Sequence, residues 1–249
     1  MAITFVAATG ITAATDTTAA FTNIAWTLPA GTQTNDLLLA FYGGKPFGSN
    51  PAAPNSGEYV SVNTITNGSV ANAAGAGSVR ATIFSRTHDG SEANPSATIE
   101  AAYDPGISAM IALRKSNPGA WITTSTTATD ATATGTTYSA TGAATLDFNP
   151  GDWIVVSLVG NDDSSNFSAW AISIAGCTLS AVTQRLTGTR TTATGLDGRM
   201  DVITAQILTG KATAAPVITA TTGNADSDGA SIIMLVREPS AEHWNDLDL

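Results

Sequence analysis

The chain has 249 residues, of which 20 are acidic and 10 basic, giving a formal net charge of −10. Only 12% of its residues are charged and 43% are hydrophobic, whereas an average domain carries about 25% charged residues. This composition excludes long charged disorder and a coiled coil, and the shortage of basic residues argues against a nucleic-acid partner.

Short apolar segments separated by turn residues follow one another along the whole chain. The first half opens with Ile3–Ala8, continues through Leu37–Tyr42 and closes with Ala109–Arg114. Segments of this length, rich in Thr, Val, Ile and aromatic residues between Gly, Pro, Asn and Asp, are typical of β-strands. About seven such strands in each half predict an all-β fold of two tandem antiparallel β-sandwiches, of jelly-roll or immunoglobulin-like size.

The two halves of the sequence resemble each other in order and spacing. Asp36 precedes one apolar strand and Asp152 another, while Arg114 and Arg237 each end an aliphatic strand. Matching pairs lie about 120 residues apart, a domain-sized period that predicts a duplication. We therefore expect a first copy over residues 1–120, a second over 121–239 and an acidic C-terminal tail over 240–249. At the start of the second copy, Thr123–Ala133 is interpreted as an edge strand or a loop.

Two strands in each copy are apolar on both faces. Leu37–Phe41 and Trp153–Val156 show no alternation of polar and apolar residues, and neither do Met110–Leu113 and Ile232–Val236. A sandwich strand normally turns one face to water, so these strands need a cover on the second face. The other copy, a long loop or a second subunit could supply it; we favour packing between the copies together with contact in a homo-oligomer.

Targeting and redox features of the sequence are few. Ile232–Val236 is the longest apolar run and is far shorter than the ~20 residues that span a bilayer, so we expect no membrane partner. Met1–Phe5 shows no secretory signal, which favours synthesis in the cytoplasm. Cys177 is the single cysteine and is expected to be buried as a small apolar residue.

The sequence gives little support to catalysis, and we expect a protein that is not an enzyme. It has two histidines, His88 and His243, and His88 is interpreted as a solvated turn residue. No nucleophile elbow, phosphate-binding loop or His-Glu-x-x-His motif is found.

Two acidic clusters are the candidate metal ligands. Asp162 and Asp163 follow one strand, and Asp226 and Asp228 precede another beside Gly229. The second cluster resembles half of a calcium loop, but turn formation by Asp is the favoured interpretation. We expect no cofactor and no metal, with Ca²⁺ at these carboxylates as the alternative. A metal-dependent enzyme would require all four to converge in one pocket.

The tryptophans divide into core and docking candidates. Trp26, Trp153 and Trp170 occupy strand-like segments and are expected in the core, although exposed aromatic rings would suit carbohydrate binding. Trp121 lies between the copies, where it is expected to pack at a hinge. The tail contributes three candidate partner-docking residues, Trp244, Leu247 and Leu249.

A resemblance to a known group of proteins rests on four short motifs. They are Leu28-Pro29, Asn35-Asp36-Leu37-Leu38, Gly151-Asp152-Trp153 and Val236-Arg237. The pattern resembles virion structural proteins of tailed bacteriophages, of the head-decoration and head- or tail-fibre kind.

This resemblance implies a β-sandwich displayed on a particle, often as a symmetric oligomer, with no catalytic residues. It implies the major capsid protein or other virion proteins as partners, and a virion location after assembly in the host cytoplasm. The expected function is non-enzymatic decoration or cementing of the capsid exterior. The alternative is a fibre or tail protein that binds a receptor or a host surface glycan.

Overall fold

A computed structural model describes residues 3–13, 23–44, 53–54, 58–67, 79–98, 106–130, 136–160, 167–190, 198–222 and 229–239. The predicted all-β, antiparallel sandwich-type fold is confirmed. The first half contains β1 (Thr4–Ala13), β2 (Asn23–Ala25), β3 (Leu37–Gly44), β4 (Val60–Asn67), β5 (Val79–Thr87), β6 (Ser96–Thr98) and β7 (Gly106–Arg114). The second contains β8 (Ile122–Asp130), β9 (Thr137–Thr141), β10 (Leu146–Phe148), β11 (Trp153–Gly160), β12 (Ser168–Ser173), β13 (Thr178–Leu179), β14 (Thr183–Arg190), β15 (Gly198–Thr209), β16 (Ala212–Ala214), β17 (Val217–Thr221) and β18 (Gly229–Arg237).

Each half is organised around one large antiparallel sheet. The first large sheet has the strand order β1-β7-β3-β5-β4. The second has the order β8-β18-β11-β15-β14, with the short β13 also paired to β15. The two orders correspond strand by strand: β1 matches β8, β7 matches β18, β3 matches β11, β5 matches β15 and β4 matches β14. In each half, for example, the opening strand pairs with the closing one. The two large sheets therefore share one topology; descent from a duplicated segment stays a prediction.

Smaller sheets cover the outer faces of the large ones. The β2–β6 pair covers the first large sheet, while β9-β17-β12 and the β10–β16 pair cover the second. Between the two large sheets lies a third core, to which both halves contribute. The described residues thus form a stack of four β layers with three apolar cores.

This stacking explains the strands that are apolar on both faces. In β3, Leu39 and Phe41 face the core between the large sheets, whereas Leu38 and Ala40 face the β2–β6 pair. Successive side chains of a strand point to opposite faces, so a strand covered on both sides needs no polar positions. The packing of one half on the other supplies the cover that the sequence required.

The contacts between the large sheets are reciprocal. Strand β1 contacts β14, and its counterpart β8 contacts β4, the counterpart of β14. Likewise β3 contacts β15, and β11 contacts β5. Such reciprocity defines an isologous interface, which is usual between two subunits of a symmetric dimer. Here it is formed within one chain, around a pseudo-twofold axis.

The link between the halves runs from the end of β7 to the start of β8, and the boundary that we predicted after residue 120 falls within it. Of the two interpretations of Thr123–Ala133, the edge strand is observed as far as Asp130, since β8 is the outermost described strand of its sheet; residues 131–133 lie outside the described part of the chain. None of the described segments forms a helix with the length and hydrophobicity that crossing a bilayer requires.

Candidate functional site

Two matching Asp–Arg pairs and a cavity lie at the same end of the two large sheets. At this end β3 and β11 begin, β7 and β18 end, and the link 115–121 joins the halves. We call it the junction end.

A buried carboxylate pairs with an arginine at this end of the first large sheet. Arg114 donates from Nε to Asp36 Oδ1 at 2.8 Å and from Nη2 to Asp36 Oδ2 at 2.7 Å. The Asp36 side chain is 2% exposed, and it also accepts from the backbone N–H of Gln33 at 2.8 Å. Hydrogen bonding to Asp36 raises the pKa of Arg114 above its usual value. The pair is a bidentate, charge-assisted fork.

The second large sheet has the same fork. Arg237 donates from Nε to Asp152 Oδ1 and from Nη2 to Asp152 Oδ2, both at 2.7 Å. The backbone N–H of Asn149 donates to Asp152 Oδ2 at 2.7 Å, as Gln33 does to Asp36. Hydrogen bonding to Asp152 raises the pKa of Arg237.

The turns before the two carboxylates also correspond. Asn35 and Gly151 have φ angles of 74° and 92°, a conformation that favours glycine or asparagine. Their backbone N–H groups donate to the carbonyls of His88 and Ile207 at 2.7 and 2.8 Å. The interpretation of His88 as a solvated residue is wrong. It is 8% exposed, because the turn that carries it packs against the Asn35 turn. Its ring also contacts the carboxylate of Glu92, four residues further along the chain.

A cavity of about 420 Å³ lies beside the second fork. Its volume is in the range of pockets that hold small ligands. Two aliphatic side chains, Ile3 and Ile122, contribute to its wall together with the Gly151 turn. The remaining lining residues are Asn149, Pro150, Asp152, Arg237 and Glu238.

The corresponding place in the first half holds the indole of Trp121. Its Nε1–H donates to the carbonyl of Asn35 at 3.0 Å, and the Lys115 ammonium lies 5.0 Å from the centre of its ring. Burial lowers the pKa of Lys115, while the nearby Glu238 opposes that shift. The prediction that Trp121 packs at the hinge between the copies agrees with these contacts.

A buried polar cluster lies at the opposite end of the second large sheet. Arg199 is paired with Gly160 and its guanidinium lies 3.7 Å from the centre of the Phe167 ring. On the same strand, Asp201 is 1% exposed and accepts from Gln184 Nε2 at 3.0 Å. Burial raises the pKa of Asp201, against the opposing effects of its hydrogen bonds and of Arg199. In the first half Arg80 is likewise paired with Gly44 and buried, with Nε 3.1 Å from Thr66 Oγ1.

The acidic residues proposed as metal ligands, Asp162, Asp163, Asp226 and Asp228, lie outside the described residues. The strand ends nearest to them, Gly160 and Gly229, are directly paired. Among the residues that the structure describes, no group of three or more His, Cys, Asp or Glu side chains is placed to hold a metal. The docking candidates Trp244, Leu247 and Leu249 and the histidine His243 also lie outside the described part of the chain.

The other aromatic and sulfur predictions have mixed outcomes. Trp26 is in the core, 2% exposed, and donates to the carbonyl of Phe41 at 2.8 Å. Trp153 and Trp170 are only partly buried at the edges of two cores. Cys177 is half-buried rather than buried, since it lies in a turn at the margin of the second-half core. Burial still raises the pKa of its thiol.

Sequence reasoning missed the pairing of each aspartate with its arginine. Asp36, Arg114, Asp152 and Arg237 were all identified as matched positions of the two halves, but as separate landmarks. The signal in the sequence was that each aspartate precedes a central strand and each arginine ends another strand. That these two strands are neighbours, so that the aspartate and the arginine meet, is known only from the strand order.

Comparison with known proteins gives no relative: no family model, no curated protein and no solved structure matches this chain.

Proposed function

We propose that this protein is a non-enzymatic structural component of a tailed-bacteriophage virion, which decorates or cements the capsid exterior. The proposal starts from the sequence resemblance. The structural observation that carries it is the repeated fork, Asp36 with Arg114 and Asp152 with Arg237. In both halves the carboxylate is held by a cation that ties two strands together, which suits a rigid building block.

The shape of the stack fits attachment through many weak contacts. Strands β4 and β8 lie side by side at one edge, joined by a 3.2 Å hydrogen bond from Asn63 Nδ2 to Ser125 Oγ. Val60 and Ile122 on these strands are 67% and 43% exposed. Exposed aliphatic side chains beside an open strand edge favour contact with another β protein. The net negative charge would keep decorated particles from adhering to one another.

The partners in this proposal are the major capsid protein or other virion proteins, with further copies of this chain in a homo-oligomer. Trp244, Leu247 and Leu249 would contribute apolar contacts from the acidic tail. The location is the virion, and neither nucleic acid nor a membrane takes part.

Immunogold electron microscopy of particles from cells producing the chain tests this proposal. Regular labelling of capsids is the expected result, and label confined to free protein would overturn it. Label on fibres, tails or host cells would favour the alternative of a receptor- or glycan-binding protein.

Deletion of 240–249 tests the role of the tail. It should weaken co-sedimentation with particles while the circular dichroism of the fold stays unchanged; unaltered co-sedimentation would exclude a role for the tail.

A further inference from the structure

The junction-end cavity is a departure from the pseudo-twofold symmetry of the molecule. Ile3 directly precedes β1 and Trp121 directly precedes β8, and the matching registers of these two strands make the residues counterparts. In the first half, Trp121 donates from Nε1 to the carbonyl of Asn35 at 3.0 Å. At the corresponding place in the second half, Ile3 is smaller, carries no N–H donor on its side chain, and lines the cavity.

The acceptor that the indole uses in the first half has a counterpart at the cavity. Asn35 and Gly151 each precede a fork aspartate, have positive φ angles and donate their N–H groups to the end of the adjacent strand or its turn. Gly151 is a lining residue, so its carbonyl corresponds to that of Asn35. Among the described residues no donor to the Gly151 carbonyl is found, which leaves this oxygen available to a ligand.

The charges in the wall of the cavity favour a neutral ligand. Asp152 is held by Arg237 in the second fork. Glu238 lies close enough to Lys115 to oppose the effect of burial, which lowers the pKa of that ammonium. Each charged lining residue therefore already lies near an opposite charge. A charged ligand would lose its hydration without gaining a partner, which is costly.

The apolar part of the wall and its size narrow the ligand further. Ile3, Ile122 and Pro150 offer apolar surface to the faces of a planar ring. The volume of about 420 Å³ is near the lower end of the range of about 300–1,000 Å³ for ligand pockets, which suits a compact molecule. An indole combines a large apolar area with a single N–H donor, and it needs a hydrogen-bond acceptor when it is buried.

We propose that the cavity binds a neutral, planar heteroaromatic molecule with a ring N–H, of the indole type, taken up from solution. The ring packs on Ile3 and Ile122, and its N–H donates to the Gly151 carbonyl. This non-covalent contact repeats in the second half what Trp121 forms with Asn35 in the first. The inference is independent of the virion role, since it concerns the isolated chain.

Isothermal titration of the full-length chain with indole tests the proposal. We expect one site per chain, and 1-methylindole, which has no N–H, should bind about tenfold more weakly because the Gly151 carbonyl loses its donor. Ile3→Trp, which places an indole at the counterpart of Trp121, should abolish binding. The matched control Thr189→Trp adds an indole at an exposed position near the opposite end of the second large sheet, and it should bind as the native chain does.

No binding to the native chain up to the solubility limit of indole would overturn the proposal. Equal affinities for indole and 1-methylindole would also overturn it, and this comparison does not depend on the folding of any variant. Undiminished binding to Ile3→Trp would place the ligand elsewhere on the molecule. Binding that appears only after deletion of 240–249 would contradict the proposal as well, because the chain itself would then occupy the cavity.

Discussion

Asp36 and Arg114 lie 78 residues apart in the chain, yet two hydrogen bonds of 2.8 and 2.7 Å join the guanidinium to the carboxylate. The fork connects the start of β3 to the end of β7, which are adjacent in the first large sheet. With its counterpart formed by Asp152 and Arg237, it is the most specific polar feature that the two halves share.

Neutralising either buried carboxylate should destabilise the fold by similar amounts. In Asp36→Asn the new amide N–H₂ faces the guanidinium and cannot accept from it, and Asp152→Asn has the same effect in the other half. We expect each variant to lose about 2 kcal/mol in free energy of unfolding, the scale of hydrogen bonds to charged groups. Urea unfolding followed by fluorescence measures the loss.

Glu58→Gln is the matched control for both variants. Glu58 pairs with Arg86 at 2.5 Å, but its side chain is 50% exposed, so its loss should cost less than about 1 kcal/mol. A fork variant as mild as this control would show that the forks contribute little to stability.

The close approach of the two large sheets should make Gly43 intolerant of a side chain. A Cβ at this position would lie 2.8 Å from Val159 Cγ2 and 3.2 Å from Met200 Sδ, both across the interface between the sheets. Gly43→Ala is expected to cost about 1–3 kcal/mol, as overpacking of a core does. Gly10→Ala is the control, because a Cβ there meets no atom within 4 Å. Equal melting temperatures for the two variants would contradict this packing.

The buried Asp201 should make stability fall as the pH rises. Burial raises its pKa in the folded state, so the folded protein holds this proton at pH values where the unfolded chain has released it. Ionisation of Asp201 therefore lowers the free energy of unfolding as the pH rises from about 4, the ordinary aspartate pKa, to the higher pKa of the folded state. Asp201→Asn removes this titration while keeping an oxygen to accept from Gln184.

The test for Asp201 compares the unfolding free energies of the variant and the native chain at pH 4 and pH 7. The variant should gain stability relative to the native chain between the two values. A difference that is the same at both pH values would show that the carboxylate titrates alike in the folded and unfolded states.

The two halves should remain associated after the link between them is cut. Residues 118–120 of the link are exposed, whereas the core between the large sheets is formed by apolar residues of both halves. A protease site introduced at this position and cleaved in the folded protein should leave one particle in size-exclusion chromatography. Two separate species in native buffer would mean that the covalent link, and not the shared core, holds the halves together.

Much of the local structure is encoded in short stretches of the chain. The apolar runs at Leu37–Phe41 and Ile232–Val236 predicted strands covered on both faces, since strand formation and the need for cover depend on neighbouring residues alone. The positions of Asp36, Asp152, Arg114 and Arg237 were also evident as repeated landmarks. The His88 interpretation failed because its burial depends on the Asn35 turn, which is distant in sequence.

By itself, the sequence determined the all-β class and the presence of strands without a wet face, because both follow from whether polar residues alternate with apolar ones within short segments. The likeness of the two halves was evident from motifs repeated along the chain. Only the tertiary structure decided that the two large sheets cover each other, that each aspartate meets its arginine, and that Ile3 leaves a cavity where Trp121 fills its counterpart. These relationships join residues far apart in the chain, and they depend on strand order and sheet stacking, which no local pattern specifies.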